Sequence, residues 1–83
     1  MTIDQITLFI EENCKDELPV TIHLKNRGSF TGLFVLGTDY GDLRSKNFWR
    51  IVREANINNY LRRRDVSFTK IYSGVEFTSL AKL

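Results

Sequence analysis

Three consecutive arginines, Arg62, Arg63 and Arg64, close a stretch that is basic throughout. Residues 44–64 hold seven bases (Arg44, Lys46, Arg50, Arg53 and the triplet) against one acid, Glu54, a net charge of +6. Residues 1–19 hold five acids and one base, a net of −4. Clustered guanidinium groups can hold phosphates by neutralising them and releasing their counterions. Trp49, between Phe48 and Arg50, adds an aromatic face on which a base could stack. The same features have an ordinary reading: the acidic and basic segments complement each other, and the tryptophan is core or subunit interface. Nothing else in the chain has the makings of chemistry. There is no Ser/His/Asp set, no acid pair with a suitable base and no phosphate-binding loop, so no catalytic constellation and no enzyme is expected. Cys14 and His23 are the only residues of their types, which leaves neither a disulfide nor a metal or cofactor site in view. Cys14 reads as a small core residue and His23 as a surface one.

These residues need a scaffold, and 83 residues allow one domain, 1–83. With 42% hydrophobic and 12% aromatic residues, the chain can fill a core. Thr2 and Gln5 fit a capping box. Ile3, Ile6, Ile10 and Cys14 then recur on one helical face, so a helix is predicted over residues 2–15. Pro19 stops it. "VTIHLKN" alternates and reads as a half-buried strand, with Val20, Ile22 and Leu24 inward. "NRG" turns the chain into "SFTGLFVLG", whose "LFVL" is apolar on both faces. "DYGDLR" reads as another short strand and "NFWRIVR" as a strand. "ANINNYL" suits either a helical turn or a short strand. "DVSFTKIY", "SG" and "VEFTSLAKL" read as a hairpin. A helix followed by many short strands predicts a mainly β domain: an N-terminal α-helix and a strongly bent antiparallel small barrel. Val20, Ile22, Leu24, Phe30, Phe34, Ile51 and Ile57 are its expected core. No apolar run approaches membrane-spanning length, and no signal-peptide pattern opens the chain, so a cytoplasmic location is the default.

The run "VTIHLKNRGSFTGLFVLGTDYGD" resembles the first motif of the Sm-like family, the small SH3-like barrels that include Hfq. Leu24, Phe30 and Gly32 fall in register with that motif, and a helix before the first strand also fits. On this likeness Gly28 makes the hairpin turn and Gly32 lets a curved second strand pass close to its neighbours. The departures are specific: Arg27 stands at a family glycine, Thr38 at the acidic position and Asp42 at the asparagine, while Tyr40 matches the aromatic. "VREANINNY", residues 52–60, is similar to the second motif, with Glu54 at its glycine. A rival register uses "IYSGVEFTSL", residues 71–80, with Ser73 at the arginine. The first register makes 20–61 the Sm-like core and 62–83 a C-terminal β extension. "FWRIV" and "YSGVEFT" are also similar to short bacterial proteins, a likeness that carries no function.

The resemblance implies single-stranded RNA as partner, bound in a pocket made by Tyr40, Asp42 and Arg53; Arg62, Arg63 and Arg64, beyond the resemblance, add charge that could hold phosphates or simply form a solvated turn before a strand. It also implies a homo-oligomer joined through edge strands. Asp42 weakens the pocket, because a carboxylate accepts a hydrogen bond but cannot donate one to a base carbonyl. The alternative is a protein-interaction or structural module that kept the barrel and lost the pocket.

Overall fold

The N-terminal helix forms as its capping box predicts. A computed structural model describes residues 1–83. In it Gln5 N–H donates to Thr2 Oγ1 at 3.2 Å, Thr2 N–H donates to Gln5 Oε1 at 3.0 Å, and α1 runs Ile3–Asn13. Ile6, Ile10 and Cys14 form its buried face. After it come β1 (Val20–Leu24), β2 (Gly28–Phe34), α2 (Tyr40–Ser45), β3 (Phe48–Arg53), α3 (Glu54–Arg63), β4 (Lys70–Ser73) and β5 (Phe77–Lys82). Single 3₁₀ turns at Val66–Phe68 and Gly74–Glu76 flank β4.

The five strands form one antiparallel sheet in the order β4-β3-β2-β1-β5. It is curled. By register, Phe30 and Tyr72 stand six positions apart along the strands and two strands apart across them. A flat sheet would separate them by roughly 20 Å in one direction and about 10 Å in the other. Their ring centroids are 5.3 Å apart. Phe34 and Phe77 are offset by the same six positions and two strands, and their centroids lie at 6.5 Å. Gly32 permits the bend: a Cβ there would sit 2.8 Å from Ile51 Cγ2 and 3.1 Å from the Phe30 ring. Gly28 makes the β1–β2 turn at φ +74°, a conformation that favours glycine.

The expected barrel is nevertheless not closed. β4 pairs only with β3 and β5 only with β1, so the two edges share no hydrogen bonds. This also corrects the expected C-terminal hairpin. The connection between β4 and β5 is a three-residue 3₁₀ turn that carries the chain from one edge of the sheet to the other. Both edges therefore come from residues 62–83. Of the two registers for the second motif, 52–60 falls on the end of β3 and on α3, whereas 71–80 spans β4, the turn and β5.

One other reading changes and one open reading is decided. "DYGDLR" is not a strand but α2, whose start is fixed by Leu43 N–H donating to the Asp39 carbonyl at 3.0 Å and by Tyr40 packing on Trp49. "ANINNYL" takes its helical option as α3. The ends of β2 and β3 are buried on both faces because a helix covers each. Ile6 and Ile10 of α1, with its C-cap Cys14, meet Val20, Ile22, Phe34, Trp49, Ile51 and Phe77 on one face. Ile57 and Tyr60 of α3 meet Leu33, Val35 and Val52 on the other. Of the expected core residues, all are buried except Phe30, which is half-buried.

Candidate nucleic-acid interface

The basic run divides once folded. Two of its members are neutralised within the chain. Arg50 forms an ion pair with Asp39 at 2.6 Å and donates to Thr69 Oγ1 at 2.8 Å. Arg64, in the left-handed C-cap position of α3, pairs with Glu17 and lies over the Tyr60 ring. These are the only ion pairs in the structure. Both carboxyls are held below the usual carboxylate range, chiefly by the hydrogen bond from their arginine. Arg44, Lys46, Arg53, Arg62 and Arg63 have no carboxylate partner. Arg62 donates to Asn59 Oδ1 at 2.8 Å, and Arg63 is exposed beside it on the last turn of α3.

Tyr40, Asp42 and Arg53 occupy different places. Tyr40 opens α2 and packs on Trp49, with centroids 6.0 Å apart and the rings tilted by 60°. Burial raises its phenol above the ordinary tyrosine value. Asp42 is exposed in the first turn of α2. Arg53 ends β3, four residues beyond Trp49 and therefore about 13 Å further along the strand. Tyr40 lines a cleft of about 230 Å³ with Thr7, Lys15 and Arg44, and neither Asp42 nor Arg53 reaches it.

Arg53 instead joins two rings that the sequence pattern does not assign to a site. Its guanidinium carbon lies 4.2 Å from the centroid of Phe30, and its Nη1 donates to the Tyr72 hydroxyl at 3.3 Å. Phe30 and Tyr72 are stacked, with 28° between their planes. The available signal is Gly32 itself, which vacates space beside Phe30. The partner, Tyr72, lies 42 positions away and depends on the curl of the sheet.

Trp49 is not a stacking platform. It is buried in the core, and its indole N–H donates to Asn47 Oδ1 at 2.8 Å. Asn47, held at φ +61°, also donates through Nδ2 to the Met1 carbonyl at 3.2 Å, and its own carbonyl accepts from Gly74 N–H at 2.8 Å. The Met1 amino group donates to the carbonyls of Gly74 and Phe77 at 2.9 and 2.8 Å. Cys14 is buried and unpaired by any disulfide, and burial pushes its thiol up to about 11. His23 is half-buried on β1, and no three His, Cys, Asp or Glu side chains gather into a metal site.

Set against known proteins, the chain matches no family model, no curated protein and no solved structure. No helix is long and apolar enough to cross a membrane.

Proposed function

We propose that the chain is a non-enzymatic, Sm-like binding module for single-stranded RNA. The motif likeness over residues 20–42 supports the family. An N-terminal helix on a curled five-stranded antiparallel sheet is compatible with it. The observation that carries the RNA reading is electrostatic. A basic run whose task was to offset the acidic N-terminal segment would be paired with it. Of the five acids in residues 1–19, only Glu17 pairs with that run. Five bases stay free for phosphates. Binding of a fluorescent single-stranded RNA across a salt series tests this. The logarithm of affinity falls linearly with the logarithm of salt, and Arg62→Ala with Arg63→Ala flattens the slope by about 0.7 for each phosphate no longer neutralised.

A second reading, a protein-interaction module that assembles through its edges, is favoured by one observation. β4 and β5 each leave one side unpaired, and Phe48 and Ile71 are 39% and 50% exposed at the β4 side. Unpaired strand edges invite another strand. A homo-oligomeric mass in light scattering without RNA binding would select this reading. A monomeric mass would remove it.

A further inference from the structure

The face of the sheet that carries Trp49 and Ile51 ends, on β3, at Arg53. Alternation places Lys70 and Tyr72 of β4 on that same face, opposite Ile51 and Trp49. α1 covers the Trp49 end. Tyr72 starts from beside Trp49, but the curl brings Phe30 and Arg53 onto its ring, and Lys70, two residues before it on the same face, is exposed and without an ion pair.

Phe30 and Tyr72 lie at the margin of the core, half-buried and packed against it. Phe30 is fixed on two sides: Tyr72 stacks on it, and the Arg53 guanidinium lies over its ring. Tyr72 sits on the edge strand, with β3 on one side and no strand on the other. Its ring is backed by a second aromatic and is half-buried. Arg53 uses one N–H on the Tyr72 hydroxyl, and a guanidinium has five. The remaining donors have no carboxylate to satisfy them.

A fixed aromatic face beside two unneutralised cations is the chemistry that holds an unpaired base and its phosphate. Stacking serves any base, because every base has a π-face, and the cations track the backbone. We propose that Tyr72, backed by Phe30 and flanked by Arg53 and Lys70, is the stacking platform for one base of a single-stranded RNA. This rests on the RNA reading above and moves its aromatic contact from Tyr40 to Tyr72.

The test is a binding titration of a fluorescent single-stranded RNA dodecamer with the full chain and four variants. Tyr72→Leu keeps an apolar side chain and removes the π-face, so affinity falls about tenfold to a hundredfold with the salt slope unchanged. Tyr72→Phe keeps the ring and binds within about threefold of wild type, as expected where stacking rather than the hydroxyl carries the contact. Arg53→Ala, at an exposed position, lowers the salt slope by about 0.7. Tyr40→Phe leaves binding unchanged. If wild type binds and Tyr72→Leu and Arg53→Ala bind equally well, the platform is overturned while the RNA reading stands. If the wild-type chain ignores the RNA at low salt, both are overturned.

Discussion

Two aromatic clusters share one face of the sheet, one around Trp49 and one beneath Arg53 at the end of β3, and they differ in where their polar atoms go. Around Trp49 a chain of hydrogen bonds closes within the protein. The indole N–H meets Asn47, Asn47 meets Met1 and Gly74, and the amino terminus meets two carbonyls. Beneath Arg53 the rings are backed by the core, but the guanidinium that caps them is exposed and lacks a counter-charge. An unmet buried hydrogen-bonding group costs free energy, so the first arrangement is what a core requires. The second leaves donors free for something outside the chain. Aromatic content alone therefore does not mark a binding site. The fate of the polar atoms around the rings does.

The comparison breaks most visibly at Trp49. Replacing this buried side chain by Ala should cost about 3–5 kcal/mol, most of what a domain of this size can spare. Urea denaturation would show it, and a destabilisation well under about 1 kcal/mol would mean that this cluster is not the structural one. Asn47→Gly keeps a residue suited to φ +61° but strands the indole N–H, for an expected destabilisation of about 1–3 kcal/mol.

Asp42→Asn sharpens the contrast from the binding side. The family likeness makes it the substitution that restores a base-reading pocket. The structure puts Asp42 exposed on α2, apart from Arg53, so RNA affinity should change less than about twofold, in line with the removal of one solvated surface charge. A tenfold gain in affinity for uridine-rich RNA would put the site back at α2.

The smallest expected effect is acid sensitivity at the Asp39–Arg50 pair. The carboxyl is held below its unfolded value of about 4, so its stabilisation is complete above that pH and is lost as pH falls through the lower folded value. The melting-temperature difference between wild type and Asp39→Asn should be constant from about pH 5 to 7 and vanish in stronger acid. A difference that instead grows as pH falls would contradict the assignment.

What can be read from the residues alone is local. Thr2 and Gln5 announce α1, alternation announces β1, and Gly28 and Gly32 announce a turn and a close crossing. The first three residues of "LFVL" are apolar on both faces because a helix covers each, while Leu36 is exposed. The misreadings are tertiary. Ser73 and Gly74 look like a hairpin turn between two strands, and only the pairing of β4 with β3 and β5 with β1 shows that the chain changes edges there. "DYGDLR" has no strong periodicity, and Tyr40 docking on Trp49 decides for a helix. The candidate site is half visible. Arg53 stands out through its place in the family motif. Its companions Phe30 and Tyr72 meet only because the sheet curls, which no spacing along the chain encodes.

The most direct test of the difference between the two clusters is an amide NMR titration of the full chain with single-stranded RNA. Shifts should concentrate at residues 30, 53, 70 and 72 and along 62–63, and be smaller at 39–42. Shifts centred on 39–42, or none anywhere, would contradict the account.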